Sequence, residues 1–209
     1  MKSMIIHGEN RAIEFLQSAK NISRLAGETK EKIKSGAMKL VPGRLYVRKD
    51  LTNASGTQDL VISGETKDQG LRNFDNAKLP SDNPFIIAAI KVAGIETAEA
   101  NPANVVDYTS VRKNLPAGLV NSKLEIFQDG GKILELEVVE ATTNSVTASV
   151  VGSDDVRQLE QMALLVDNRE FEWKITTPKG VAISPANGAN KLHVEVMLLG
   201  WEIRKDTAV

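Results

Sequence analysis

Apolar side chains between residues 10 and 26 recur three and four positions apart, the spacing that places them on one face of an α-helix. Charged residues such as Arg11, Lys20 and Arg24 fall outside this stripe. The pattern predicts an amphipathic helix over 10–26 and a second helical piece over 28–34, which ends near Ser35-Gly36. Such a face must cover the body of its own chain, a neighbouring subunit or a membrane surface, and its small and medium side chains favour protein over bilayer. We expect it to serve in assembly; it consists of Ala12, Phe15, Leu16, Ala19, Ile22 and Ala26.

Beyond Pro42-Gly43, which we expect to form a turn, the hydrophobic period changes to two, as in a half-buried strand. Gln128-Asp129-Gly130-Gly131 separates two such stretches and predicts a hairpin, because Asp and Gly tolerate positive φ in a tight turn. The pattern predicts strands over 45–48, 59–62, 85–95, 124–127, 132–139, 171–176 and 193–203, a weaker strand over 146–151, and at 162–166 either a strand or the end of a short helix.

About eight strands joined by turn-rich loops indicate an all-β fold, and we predict an antiparallel jelly-roll β-sandwich preceded by an N-terminal amphipathic helix. A doubly wound α/β fold would need helices between its strands, and at most one stretch between the predicted strands has a helical pattern. We divide the chain into a basic helical arm, residues 1–43, and a sandwich domain, residues 44–209. The 209 residues suffice for one large β domain.

Charge is spread unevenly along the chain. The formal net charge is −1, but residues 1–50 hold eleven Lys/Arg against five Asp/Glu, so this part carries +6 and the remainder −7. Such asymmetry suggests that the arm faces an anionic partner, either nucleic acid phosphates or lipid headgroups. A solvated helix face, with acidic neighbours offsetting the lysines, is the alternative. The candidate contacts are Lys30, Lys32, Lys34 and Lys39.

Residues capable of reaction chemistry are few. The chain has no cysteine and only two histidines, His7 and His193, and neither a phosphate-binding loop nor a Gly-x-Ser-x-Gly motif occurs. The acid pair Asp154-Asp155 is better explained as the N-terminal end of a helix than as a ligand pair. We therefore predict a protein that is not an enzyme and holds no metal or cofactor.

Two binding functions stay open as alternatives. Phe171, Trp173 and Trp201 could form a sugar-binding platform, although aromatic residues on alternating strands more often belong to the core. His193 beside Glu195 could belong to a cupin-like metal site, which needs further ligands inside a barrel. No apolar run matches a signal peptide or a membrane span, so we expect a cytosolic product.

Four stretches resemble coat proteins of tailless, sometimes lipid-containing, bacterial viruses: 45–49, 55–58, 73–80 and 85–90. The order of a basic arm, a β-sandwich and a long final strand over 191–201 is similar to the same family. Many of its members carry two jelly rolls, whereas this chain has room for one. The resemblance implies a capsid protein that self-assembles into trimers or a larger shell, with other virion proteins, the genome or an internal membrane as further partners. It implies a location in the virion after synthesis in the bacterial cytoplasm.

Overall fold

In the computed structural model the described residues are 2–25, 27–144 and 156–205, without the side chains of residues 2–7, 19, 34 and 205. About 45% of the chain is strand and 20% is helical. Every pairing between its named strands is antiparallel. The prediction of a β-rich, antiparallel chain is therefore confirmed.

Three helices precede the sheets: α1 (Lys2–Gln17), α2 (Ala19–Arg24) and α3 (Gly27–Lys34). The predicted single helix over 10–26 is wrong in its bounds, because α1 starts at Lys2 and the chain breaks at Ser18. Ser18 has extended backbone angles, and its side chain accepts a hydrogen bond from the amide of Asn21. It thus caps α2 and lets the chain change direction between two helices. We call α1, α2 and α3 together the helical arm.

Ten strands follow among the described residues, with a short helix α4 (Ala117–Val120) between the fourth and the fifth. The predicted hairpin over 124–139 is confirmed, although its second strand ends at Glu137. The strands near 85–95, 171–176 and 193–203 are confirmed as well, and residues 162–165 belong to a strand. The strands are β1 (Met38–Asp50), β2 (Ala54–Ser55), β3 (Thr57–Asp59), β4 (Phe85–Thr97), β5 (Lys123–Gln128), β6 (Gly131–Glu137), β7 (Arg157–Leu165), β8 (Phe171–Thr176), β9 (Ala182–Ile183) and β10 (Lys191–Lys205).

Pro42-Gly43 does not form the predicted turn but lies inside β1, so the expected boundary after residue 43 falls within this strand. β1 is an edge strand, and alternate amides of β1 point away from β10. Two of these, on Arg48 and Tyr46, donate to Leu71 O at 2.7 Å and to Asn73 Oδ1 at 2.9 Å. Pro42 shares their orientation, so its missing N–H removes no bond to β10.

Two further predictions need comment. The strand expected over 59–62 is wrong, because β3 ends at Asp59; the amide of Leu60 still donates to Trp173 O, after which the chain leaves the sheet. The candidate strand over 146–151 and the acid pair Asp154-Asp155 lie outside the described residues.

The strands pair as a nested series. The first strand pairs with the last, the second with the ninth, the third with the eighth, the fourth with the seventh and the fifth with the sixth. The chain is thus one long antiparallel ribbon folded at the β5–β6 turn. Additional pairing of β10 with β4 and of β5 with β8 rolls the ribbon into two four-stranded sheets, ordered β1-β10-β4-β7 and β3-β8-β5-β6. We call these the first and the second sheet.

The main core lies between these two sheets, where alternate residues point inward. On β10, the side chains of Leu192, Val194, Val196 and Leu198 are at most 1% exposed, and on β8 Phe171, Trp173 and Ile175 are fully buried. Burial of side chains of this size stabilises a fold by roughly 1.5–3 kcal/mol each. The space between the sheets is therefore occupied by packed apolar side chains.

Candidate functional site

The helical arm packs on the outer face of the first sheet. A second apolar cluster forms there, separate from the core between the sheets. Because the strand period is two, residues that point away from the main core are available to this cluster. Its fully buried members are Ala12, Leu16 and Leu25 from the arm and Ile86, Leu164, Val166 and Ile203 from the sheet or its margin.

The predicted apolar stripe is used within the subunit. Ala12 and Leu16 are buried against the sheet, Phe15 packs beside them half-buried, and Ile22 is partly exposed. Ala26 and the side chain of Ala19 lie outside the described part of the chain. Ile13 remains 38% exposed on α1. The arm therefore covers its own sandwich with the face that the sequence marks as apolar.

Polar contacts fix the third helix of the arm to the loop before β4. Lys32 Nζ lies 2.9 Å from the carboxylate of Asp82 and 2.6 Å from that of Glu28. Hydrogen bonds to these two carboxylates raise the pKa of Lys32. Thr29 also contacts Asp82, whose amide donates to Asp167 Oδ2. Lys32 therefore ties the arm to the sandwich.

The other predicted cationic contacts are dispersed. Lys30 is half-buried on α3, and Lys39 is exposed on β1. The side chain of Lys34 is outside the described part of the structure. Lys32 forms two ion pairs within the subunit, with Glu28 and Asp82.

A different basic group surrounds a cleft of about 870 Å³ between the arm and the sandwich, which we call the arm cleft. Its walls come from α1 and α2 on one side and from the β5–β6 turn, β7 and the turn before β8 on the other. The sequence pattern pointed to the arm residues only as charges off the apolar stripe. The cations are Arg11, Lys20, Arg24, Lys132 and Arg169, and the acids are Glu14, Asp129 and Glu160.

Within the arm cleft the body residues are paired and the arm residues are not. Arg169 Nη1 lies 2.7 Å from Asp129 Oδ2, and Lys132 pairs with Glu125 and Glu135. No ion pair joins Arg11, Lys20 or Arg24 to another described residue. Burial and then repulsion from Arg169 lower the pKa of Arg24, with Asp129 partly opposing them.

His193 and Glu195 lie on the outer face of the first sheet, not inside the sandwich. His193 is fully buried, with Nε2 2.7 Å from Glu99 O, and Glu195 accepts from Arg48 Nε at 2.7 Å. Arg48 also stacks over Tyr108, at 4.7 Å from the ring centre. Burial raises the pKa of Tyr108 to about 12 although Arg48 opposes it. These contacts hold the loop after β4 against the sheet.

The described residues contain no cluster of three or more His, Asp or Glu side chains placed to hold a metal ion. The side chain of His7 is not among those described. The imidazole of His193 contacts the loop after β4 and does not face the space between the sheets.

The three aromatic residues considered for sugar binding do not form an exposed platform. Phe171 and Trp173 are core residues, as expected, and both pack against Phe74 with ring centres 5.2 and 5.3 Å away. Trp201 is half-buried and belongs to the cluster under the arm.

No family model and no curated protein matches this chain. Within the described ranges, none of the helices combines the length and the apolar character that crossing a bilayer requires.

Proposed function

We propose that this chain is a structural protein of a virus particle and that its sandwich is a jelly roll. The nested strand pairing carries the proposal. A ribbon folded once and then rolled gives eight principal strands in two packed antiparallel sheets, which is an arrangement typical of a jelly roll and supports the proposal. The resemblance of four sequence stretches to coat proteins of tailless bacterial viruses points in the same direction.

Jelly rolls serve as capsid subunits, as lectins and as cupin enzymes. A cupin needs ligands that converge inside the barrel, whereas here His193 and Glu195 point outward from the sandwich. Of the aromatic residues that a lectin could use, Phe171 and Trp173 are fully buried and Trp201 is half-buried under the arm. These placements favour a shell-forming role over the other two.

The arm supports the same proposal, because it changes which surface the subunit offers to its neighbours. With α1 seated on the first sheet, the outer side of α1, including the partly exposed Ile13, replaces the sheet as the outward surface. Subunits then contact one another through helices on one face and through loops at the ends of the sandwich.

The decisive experiment is the native mass and shape of the purified full chain. Light scattering and negative-stain microscopy over a range of protein and salt concentrations should show trimers, larger regular oligomers or closed shells. A chain that stays monomeric under all these conditions, and that does not enter particles when the other proteins of its virion are supplied, would overturn the proposal.

Deletion of residues 1–36 tests the role of the arm. The truncated sandwich should fold, because the core between its sheets is separate from the cluster under the arm. The deletion uncovers apolar side chains such as Ile86, Leu164 and Ile203, and we expect the truncated protein to lose ordered assembly. Circular dichroism checks the fold and microscopy the assembly. Truncated protein that forms particles of unchanged size would contradict an assembly role for the arm.

A further inference from the structure

The arm cleft contains positive charge that the described structure does not neutralise. Arg11, Lys20 and Arg24 converge on it from the arm, and none has an ion-pair partner among the described residues. Lining charges alone give the arm cleft five cations against three acids. Cations held together without counter-charges repel one another, and a bound anion relieves that repulsion.

Arg24 shows this repulsion most directly. It is half-buried and lines the arm cleft together with Arg169, and after burial the positive charge of Arg169 also lowers the pKa of Arg24. Arg169 keeps Asp129 as its partner, so one carboxylate serves two cations. An oxyanion between Arg24 and Lys20 would supply the missing negative charge.

We propose that the arm cleft binds the phosphate groups of a single-stranded nucleic acid. Guanidinium groups recognise phosphate through paired, charge-assisted hydrogen bonds. The volume of about 870 Å³ falls in the range of pockets that hold nucleotide-sized ligands. Phe15 and Met162 provide apolar lining against which a base can pack beside the charged wall.

The shape of the arm cleft favours a strand over a membrane surface. A strand can enter a cleft that is walled on both sides, whereas a bilayer presents its headgroups on a broad, nearly flat surface.

This inference rests on the proposed function for the source of the strand, a packaged genome, but the arm cleft itself belongs to a single subunit. Binding is therefore measured on unassembled full-length protein, and assembly is scored separately by light scattering. If the protein assembles but does not bind the oligonucleotide, the proposal for the arm cleft is wrong and the proposed function is unaffected. If the protein binds the oligonucleotide but does not assemble, the proposed function is wrong and the proposal for the arm cleft is unaffected.

The test uses a fluorescein-labelled 12-mer of thymidine, with anisotropy followed from low to moderate salt. The double variant Lys20→Gln/Arg24→Gln should bind about tenfold more weakly at low salt, and the slope of log affinity against log salt should become shallower by about 1.4, or 0.7 for each phosphate that is no longer neutralised. The matched control Lys113→Gln/Lys179→Gln removes two exposed lysines from the opposite end of the sandwich and should bind like the wild type.

A footprint on the unmodified chain provides a test that needs no variant. The 12-mer should protect Lys20 from acetylation and leave Lys113 and Lys179 reactive. Equal weakening in both double variants, or no protection of Lys20, would overturn the proposal. Binding to phosphatidylglycerol vesicles without binding to the 12-mer would overturn it in favour of a lipid headgroup.

Discussion

Gly8 of α1 lies directly against the indole of Trp201 on β10. A β-carbon built on Gly8 would stand 2.8 Å from Cζ2 of Trp201, closer than carbon atoms approach without displacement. The absence of a side chain at Gly8 thus lets α1 settle onto the outer face of the first sheet. The same contact makes the half-buried Trp201 a support for the arm.

Gly8→Ala should destabilise the protein, although alanine normally favours a helix over glycine by about 1 kcal/mol. Overpacking against Trp201 costs roughly 1–3 kcal/mol, so the expected net loss is about 1 kcal/mol. Urea unfolding measures it. The control is Gly27→Ala in α3, where a new β-carbon meets nothing within 4 Å and should leave stability unchanged or higher. A stabilised Gly8→Ala variant would show that α1 does not rest on Trp201.

Gly200→Ala should be much more damaging, because the obstacle is backbone. A β-carbon there would overlap Ile86 O on the neighbouring strand, at the irregularity where β10 pairs with β4. We expect a loss of at least about 3 kcal/mol or failure to fold. Thermal unfolding and soluble yield, compared with Gly188→Ala in an open loop, provide the measurement. Equal melting temperatures for the two variants would contradict the close approach.

Arg48→Met should cost about 3–5 kcal/mol, since it leaves the carboxylate of Glu195 buried without its partner. The Glu195 side chain is 6% exposed and lies 2.7 Å from Arg48 Nε. The exposed pair of Lys123 and Glu135 is the comparison, and Lys123→Met should change the free energy of unfolding far less, because water and salt screen an exposed ion pair. Similar losses of unfolding free energy in the two variants would contradict a larger contribution from the buried pair.

Glu96 should make stability depend on pH. Its carboxylate accepts hydrogen bonds from the amides of Asn187 at 2.7 Å and Ala186 at 2.8 Å, and these bonds lower the pKa of Glu96 below its ordinary value of 4.5. A lowered pKa in the folded state gives stability that is present above pH 4.5 and lost as the pH falls through the folded-state pKa. The difference in unfolding free energy between wild type and Glu96→Gln should therefore shrink below pH 4.5. A constant difference down to pH 3 would contradict this linkage.

Local patterns predicted the elements whose causes are local. The β5–β6 hairpin follows from Asp129-Gly130, both of which have positive φ, and β8 follows from the strict alternation over 171–176. The break at Ser18 does not show in the hydrophobic pattern, because its neighbours continue a helical period and the cap depends on how the arm turns over the sheet. Pro42-Gly43 predicts a turn because proline fits inside a strand only where its missing N–H is not needed, and the sequence does not show that β1 is an edge strand.

The arm cleft was beyond reach of the sequence for a similar reason. Arg24 could be recognised as a charge off the apolar stripe, but its neighbour Arg169 lies far along the chain and approaches only in the folded protein. The lysines of α3 looked more prominent because they cluster in sequence. In the structure Lys32 is occupied by Glu28 and Asp82.

The pairing of β1 with β10 also constrains how the protein is made. Met38 pairs with Lys205 and Asp50 with His193, so β1 can complete its pairing only after β10 has been synthesised. Contacts so distant in sequence slow folding, because a long loop must close before they form. Until β10 has been synthesised, β1 lacks this partner, and protection by a chaperone during that interval should raise the yield of native subunits.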